Sequence, residues 1–315
     1  MLRFLVKRLI QLVPVLFLVS FFVFFIIHLI PGDPVIVMMG EELHDPEVYE
    51  ALRKQLGLDK PIYVRYFRWI ARAAQGDLGH SLRTKKPVFD SVVERYPPTI
   101  YLAVSALFLG IVIAVPAGTL AATRQNTLWD YSSMGFALLG ISIPNFWLAL
   151  LLILGFGVYL GWLPTMGYTD PGTNFAAFLG HLALPAIVLG TDLGSATTRY
   201  VRAEMLEQLR LDYVRTARAK GLPYYLVFYK HALKNSLIAA TTAIGLHVGR
   251  LLGGSTVVET VFAWPGLGRL VLEAVYSRDY PVLQGAVLFL ALSYVLVNLI
   301  VDILYKWLDP RIRLG

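Results

Sequence analysis

Residues 9–30 read LIQLVPVLFLVSFFVFFIIHLI, a run of 22 positions without an acidic residue, a lysine or an arginine. A helix needs about 20 apolar residues to cross the hydrocarbon core of a bilayer, and soluble helices rarely need so many. A secretory signal peptide has a shorter apolar region, of about 7–15 residues, and then a small-residue cleavage site. This run ends instead at PGDP, residues 31–34. The sequence therefore predicts an uncleaved first transmembrane helix.

The composition of the whole chain indicates the same class of protein. Of 315 residues, 57% are hydrophobic and 16% are charged, whereas a soluble domain is about half apolar and about a quarter charged. The sequence contains no cysteine, which excludes disulfides, thiolate catalysis and cysteine metal sites. We therefore expect an all-α membrane protein.

Five further apolar segments follow the first, so we expect about six transmembrane helices. The predicted spans are residues 9–30, 98–122, 131–160, 181–200, 237–258 and 282–307. The polar segment 31–96 predicts a mostly helical extracytoplasmic subdomain, with helices at Glu47–Gln55 and Val64–Ala74. This divides the chain into residues 1–95 with the first helix and that subdomain, 96–302 with the other five helices, and a cytoplasmic tail at 303–315.

The distribution of basic residues predicts the orientation of the chain. The net charge is +7, and cytoplasmic loops of membrane proteins collect lysine and arginine. The loop at 161–180 contains neither residue, whereas the loop at 201–236 is rich in both. We therefore expect this basic loop and both termini to be cytoplasmic. Its basic residues are Arg202, Arg210, Arg215, Arg218, Lys220, Lys230 and Lys234.

The middle of the basic loop predicts two helical pieces separated by a break. Gly221 follows a basic turn, which is a common helix end, and Pro223 suits the start of a second helix. One interpretation is a short helix that lies across the cytoplasmic face. The alternative is a solvated basic loop that contacts anionic lipid.

The segment DYVRTARAKGL at residues 212–222 resembles the EAA loop of ABC importer permeases, and most closely that of the dipeptide/oligopeptide and nickel permeases of the DppB/OppB type. In that family the loop forms a coupling helix that docks into a groove on the ATPase subunit. Thr216, Ala217 and Gly221 fall on the Ala-Ala-x3-Gly core of the motif, whereas Arg215 stands where the general motif has Glu. Small side chains at 216 and 217 would let the helix approach a partner closely. The coupling residues that the resemblance implies are Asp212, Tyr213, Arg215, Thr216, Ala217, Lys220 and Gly221.

Other segments extend the resemblance over nearly the whole chain. It implies a type I ABC importer permease in a bacterial inner membrane. The implied partners are a second, DppC/OppC-like permease, two DppD/DppF-like ABC ATPase subunits and an extracytoplasmic binding protein. The segments are MLRFLVKRL (1–9), PGDP (31–34), LGLDKP (56–61), GDLG (76–79), PV (87–88), PT (98–99), GGS (253–255), Glu259, FAWPGLG (262–268), RDYP (278–281) and DPRIR (309–313).

The function that the resemblance implies is transport of small peptides, with no catalytic residue in this chain. The sequence has no G-x-x-x-x-G-K-[ST] phosphate loop. We therefore expect no cofactor and no metal in this chain, ATP and Mg²⁺ on the partner subunits, and no nucleic-acid partner. Nickel chelates or another small solute remain alternative substrates. A gradient-driven transporter is the alternative class, which would need intramembrane acidic or histidine relays and usually repeated halves.

Asp192, His247 and Arg250 are ionisable residues that fall well inside predicted spans. Charges in the bilayer are costly and usually face a cavity or a partner. One interpretation is a structural Asp192–Arg250 pair between neighbouring helices. The other is that His247 and Arg250, three residues apart on one helix face, line the pathway and meet a substrate carboxylate or, for His247, a metal complex.

The segment 259–281 combines aromatic residues with glycine and predicts a short outer helix. Phe262, Trp264, Pro265 and Gly268 are candidate contacts for a docked binding protein. The alternative is an aromatic belt that holds the helix ends at the lipid headgroups.

Overall fold

The computed structural model describes residues 2–29, 35, 46–55 and 59–308. These residues are mostly helical, joined by turns and one isolated bridge between His80 and Pro87. The helices are, in chain order, α1 (Leu2–Leu29), α2 (Pro46–Gln55), α3 (Ile62–Ala73), α4 (Val88–Thr123), α5 (Leu128–Ser142), α6 (Asn145–Leu152), α7 (Phe175–Arg210), α8 (Asp212–Ala219), α9 (Lys234–Gly254), α10 (Thr256–Val261), α11 (Leu267–Tyr276) and α12 (Tyr280–Leu308). Two π-helical segments, Ile153–Tyr159 and Val227–Leu233, extend α6 at its end and α9 at its start.

The described residues of four predicted spans, 9–30, 98–122, 181–200 and 282–307, each fall on one helix, whereas the spans 131–160 and 237–258 are each divided between helices. Helices α4 and α7 and the segment Tyr280–Ile303 of α12 are each long and apolar enough to cross a bilayer. The described apolar segment of α1, Ile10–Phe25, is shorter than these three. The all-α membrane architecture predicted from the sequence is therefore confirmed.

The predicted span at 131–160 is not one straight helix. Helices α5 and α6 are apolar enough to make one crossing together, but the chain bends by 104° between them. Proline has no N–H to donate and disfavours helical backbone at the residue before it. Ile143, which precedes Pro144, accordingly has an extended backbone, with φ −80° and ψ 121°.

Helix α7 has 36 residues, as does α4. Its first turn is capped by the side chain of Asn174, whose Oδ1 accepts a hydrogen bond from the backbone N–H of Ala177 at 3.0 Å. It continues beyond the predicted span end at 200 to Arg210. The first part of the predicted cytoplasmic loop is thus an extension of the transmembrane helix.

Glycines allow α4 and α7 to pack backbone against backbone. A Cβ on Gly118 would lie 2.7 Å from the carbonyl oxygen of Thr198, and one on Gly194 would lie 3.1 Å from that of Gly110. Small residues at such spacing are a common means of close helix packing in membranes, where no hydrophobic effect drives helices together. These positions hold the two long helices in direct contact.

The chain divides into two compact units. The first contains the described residues up to 97 together with 266–295, and the second contains the described residues of 98–265 and 296–315. The predicted domain boundaries at 95/96 and 302/303 stay a prediction. Helix α12 continues to Leu308, so the described start of the predicted tail is helical.

The predicted helices of the outer subdomain are present as α2 and α3. Within the first unit, Tyr66 of α3 is buried against α1, where its ring lies 5.4 Å from that of Phe24. The hydroxyls of Tyr66 and Ser20 lie 2.9 Å apart, within hydrogen-bond distance. These contacts attach the amphipathic α3 to the first membrane helix.

Asp279 fixes a turn of the first unit that the sequence does not predict. Its side chain is buried and accepts hydrogen bonds from the Ser81 hydroxyl at 2.5 Å and from the backbone N–H of Leu82 at 3.1 Å. A buried carboxylate requires such donors, because an unpaired charge away from water is costly. Nearby, the Gly79 backbone N–H and the Arg72 guanidinium hold the pKa of Asp77 below its usual range.

Candidate functional site

The basic loop contains an eight-residue helix, α8, as the sequence predicts. Helix α7 ends at Leu211, whose extended backbone (φ −71°, ψ 150°) turns the chain before α8 begins. The inner face of α8 is apolar: Val214 and Ala217 are buried and pack against Val227, which follows the break. The helix is therefore packed onto the rest of the chain.

Tyr213 determines how α8 is oriented. Its hydroxyl lies 2.7 Å from the Oε1 of Gln208, on the last turn of α7, and donates to it. The side-chain amide of Asn235, on α9, donates to the same hydroxyl at 3.2 Å. One phenol thus joins α7, α8 and α9, so the short helix is positioned by both membrane helices that flank it.

Helix α8 ends in a Schellman motif that requires glycine. The backbone N–H of Gly221 donates to the carbonyl of Arg218 at 2.9 Å, and that of Leu222 donates to Ala217 at 3.4 Å. Gly221 has φ +76°, a left-handed conformation that side chains with a Cβ disfavour. Pro223 then precedes the next helical turn at Tyr224–Leu226. The predicted break between two helical pieces is confirmed.

The outer face of α8 is polar and exposed. Arg215 lies 3.5 Å from Asp212 on the same helix, but both side chains are more than three-quarters exposed, so this pair contributes little to stability. The exposed predicted coupling residues are Asp212, Arg215, Thr216, Lys220 and Gly221. This charged surface is available to another molecule.

Ala217 differs from the expectation that its small size lets a partner approach. It is buried against Val214 and Val227 of its own chain, so its small side chain serves the packing of α8. Thr216 is exposed beside it. Of the two small residues, only Thr216 lies where a partner could contact it.

A cavity of about 610 Å³ lies between α5, α6, α7 and α9 in the second unit. Asp192 and His247, two of the predicted intramembrane residues, both line it, together with Asn145 at the start of α6. The ring of His247 lies 6.3 Å from that of Tyr200. The side chain of Arg250 lies outside the described residues, so the Asp192–Arg250 pair stays a prediction.

The predicted contacts for a binding protein stay a prediction, and three of the four residues are buried within the chain. Trp264 has no exposed surface, and Phe262 and Gly268 are buried as well, while Pro265 is half-buried. The indole N–H of Trp264 donates to the carbonyl of Pro98 at 2.9 Å, and its ring meets Tyr168 edge to face at 4.8 Å. The short outer helix itself is present as α11.

Sequence reasoning missed the most buried ion pair of the described structure. The guanidinium of Arg202 binds both carboxylate oxygens of Asp130, at 2.7 and 2.8 Å, and Asp130 is 3% exposed. Asp130 is the one acidic residue between the second and third predicted spans. A single acidic residue in a short loop indicates that a cationic partner is needed. The sequence does not identify that partner, because Arg202 lies 72 residues away.

Glu259 is another buried acid whose environment the sequence did not show. It has no exposed surface, and its Oε1 accepts hydrogen bonds from the hydroxyls of Ser255 at 2.9 Å and Thr99 at 3.1 Å. Thr99 and Glu259 both belong to segments quoted above as family signatures. In the structure they are joined, which gives these two segments a shared packing role.

Two family models together match nearly the whole chain. The model described as "Binding-protein-dependent transport system inner membrane component" matches residues 114–314. The model described as "Binding-prot-dependent transport system membrane comp, N-term" matches residues 1–103. Both matches agree with the resemblance derived from the sequence motifs.

Named relatives match along their full length. The chain is 44% identical over 313 residues to the glutathione transport system permease protein GsiC of Escherichia coli (strain K12) and of Shigella dysenteriae serotype 1 (strain Sd197), covering 99% of each chain. Among solved structures, the inward-facing methionine ABC transporter MetNI is similar with a TM-score of 0.58 and 20% identity. That match covers 70% of this chain and 96% of the other. This likeness shows a shared fold.

Proposed function

Because the chain belongs to the family of binding-protein-dependent transport system inner membrane components and is the permease subunit of an ATP-driven importer, we propose that its cargo is a small peptide. As such a subunit it is not itself an enzyme, and it works with a second permease, an ATPase and a binding protein. The observation that carries the peptide proposal is the 44% identity, over 99% of both chains, to a permease named for glutathione transport. Glutathione is a tripeptide.

We propose that α8 is the coupling helix and that its exposed face binds the ATPase. The support is structural: the polar outer face is free, while Tyr213, Val214 and Ala217 attach the inner face to α7 and α9. Because this short helix is packed against two membrane helices, a displacement of α8 by the ATPase is transmitted to both of them. A flexible loop would not transmit such a displacement.

The orientation of the chain in the membrane determines which partner each segment faces. The basic loop containing α8 and both termini face the cytoplasm, in agreement with the excess of lysine and arginine there. ATP and Mg²⁺ bind the DppD/DppF-like ATPase subunits, and the second permease is DppC/OppC-like. The segment 31–96 faces the binding protein on the opposite side.

The test is uptake by the complete complex in liposomes, with ATP supplied on the side of the ATPase and binding protein on the other. We expect accumulation of labelled dipeptide or glutathione that requires both ATP and the binding protein. An ATPase subunit with its phosphate-loop lysine replaced serves as the control and should abolish uptake. ATP-dependent uptake of a nickel chelate without peptide would overturn the peptide proposal. Peptide uptake by the chain alone, driven by a proton gradient, would overturn the coupling proposal.

A further inference from the structure

Asp192 carries a carboxylate that is exposed to the cavity of the second unit. It lies on α7 inside a predicted span, and it lines the cavity with Asn145 and His247. Among the side chains that the structure describes, none forms a hydrogen bond or ion pair with Asp192. A carboxylate at membrane depth is costly unless it meets a cation or water. The cavity is the place where such a cation would bind.

The size and lining of the cavity fit a small organic molecule. Its volume of about 610 Å³ lies within the range of about 300–1,000 Å³ that is usual for small-molecule sites. Most of the lining is apolar, and the polar groups are few, which is the common arrangement in such sites. The apolar lining residues are Ile141, Leu189, Leu193, Ala196 and Leu251.

The bend between α5 and α6 brings Asn145 to the cavity. Irregular backbone at membrane depth is tolerated where it is buried in protein or lines a water-filled cavity, and the 104° bend at Pro144 directly precedes Asn145. The side-chain amide of Asn145 offers both donors and an acceptor. Among the described lining residues, the cavity therefore combines the acidic side chain of Asp192 with the polar side chains of Asn145 and His247 beside an apolar wall.

Resting on the proposed function, we propose that Asp192 binds the α-ammonium group of the transported peptide inside the permease. A carboxylate and an ammonium form a charge-assisted hydrogen bond, which is about twice as strong as a neutral one. Asn145 and His247 bind the polar peptide backbone, and the apolar wall contacts the side chains of the cargo. The permease thus adds its own selection for a free amino terminus to that of the binding protein.

The first experiment compares uptake of a peptide with uptake of its N-acetylated form by the reconstituted importer. The preference for the free amine is the uptake rate of the peptide divided by that of its N-acetylated form, and it is measured for the native complex and for Asp192→Asn. Because both complexes contain the same binding protein, its contribution cancels when the two preferences are divided. We expect Asp192→Asn to reduce this preference about tenfold, the scale of one charge-assisted hydrogen bond. Asp192→Glu should restore most of it.

The matched control is Asp302→Asn, which neutralises an acid of α12 that does not line the cavity. It should leave the amine preference unchanged. If Asp192→Asn lowers uptake of both peptides equally, Asp192 has a structural role, such as pairing with a cation of the second permease, and the inference is overturned. Unchanged uptake of both peptides would overturn it as well.

A second experiment keeps Asp192 in place and so does not depend on the folding of its variants. The chain has no cysteine, so Ala196→Cys places one thiol on the cavity wall. We expect a cationic methanethiosulfonate to modify it about tenfold faster than an anionic one, and a peptide with a free amine to protect it better than the N-acetyl peptide. Equal rates and equal protection would overturn the inference.

Failure of this inference is distinguishable from failure of the proposed function. If the native importer takes up no peptide at all, the peptide proposal is wrong, and the role of Asp192 in binding a peptide amine is wrong with it. If the native importer takes up peptides but its amine preference survives Asp192→Asn, the peptide proposal stands and the role of Asp192 is wrong.

Discussion

Asp130 and Arg202 show, at the scale of single residues, how much a membrane protein depends on contacts between distant parts of its sequence. Asp130 lies in the first turn of α5 and is almost fully buried, and Arg202 lies on α7 with about a quarter of its side chain exposed. The backbone N–H of Asn126 donates to the same carboxylate at 3.0 Å. The pair therefore anchors the turn between α4 and α5 to α7.

Replacing Asp130 by Asn should destabilise the protein markedly. The amide still accepts from the backbone N–H of Asn126, but the guanidinium of Arg202 loses its counter-charge in a largely buried site. We expect a loss of about 3 kcal/mol in the free energy of unfolding, measured by denaturant titration of the purified subunit in detergent. Asp77→Asn, in the exposed pair with Arg72, is the control and should cost less than about 1 kcal/mol. Equal effects would contradict this account.

Trp264 provides a second prediction at the residue scale. In Trp264→Phe the ring stays in the core, but the indole N–H that donates to Pro98 is lost and a buried carbonyl is left unpaired. We expect a loss of about 1–3 kcal/mol in the free energy of unfolding, with unchanged affinity for the binding protein, measured by titration calorimetry. Tyr276→Phe, at an 85% exposed ring, should change stability little. A selective loss of binding-protein affinity in Trp264→Phe would restore the original expectation of a docking contact.

At the scale of elements, the helices could largely be predicted from the sequence, because apolar length alone identifies membrane spans. A kink at Pro144 could be predicted from the sequence, but a bend as large as 104° could not. Proline is often accommodated inside membrane helices, as Pro185 is within α7, so its presence alone does not distinguish a kink from a 104° turn. The extension of α7 to Arg210 was not predicted either. Polar residues after position 200 mark the end of the membrane span, but the helix continues through them.

The contact between α5 and α7 yields a prediction at this scale. A Cβ on Gly140 would lie 1.9 Å from the hydroxyl oxygen and 2.9 Å from the Cβ of Ser195, whereas a Cβ on Gly135 of the same helix meets nothing within 4 Å. Gly140→Ala should therefore separate the helices and cost about 1–3 kcal/mol.

The matched control is Gly135→Ala, which should be neutral or slightly stabilising because alanine favours a helix more than glycine does. Thermal unfolding of the two variants in detergent measures the difference. If Gly140→Ala proves as stable as Gly135→Ala, the close packing of α5 on α7 is contradicted.

At the scale of the whole molecule, the family could be predicted because its motifs recur in order along the chain. The roles of individual motif residues could not, since a motif does not tell which side of a helix faces a partner. Ala217 and Trp264 illustrate the difference: both lie in segments that resemble the family, and both are buried in their own chain. Burial depends on long-range packing, which local spacing does not encode.

The account of the whole molecule depends on α8 being the element through which the ATPase acts. Thr216 is exposed on its outer face, and Thr84 is exposed in the outer subdomain. Because the native chain lacks cysteine, Thr216→Cys and Thr84→Cys each provide a single site for a photoreactive benzophenone maleimide.

Photo-cross-linking of these two variants in the active, assembled importer is the most direct measurement. The account predicts that the probe at position 216 cross-links to the ATPase subunit, with a yield that changes when ATP binds, and that the probe at position 84 does not. Two results together would contradict the account. A membrane-impermeant reagent would label the thiol at position 216 from outside intact cells, and the probe at that position would not cross-link to the ATPase in a transporting complex.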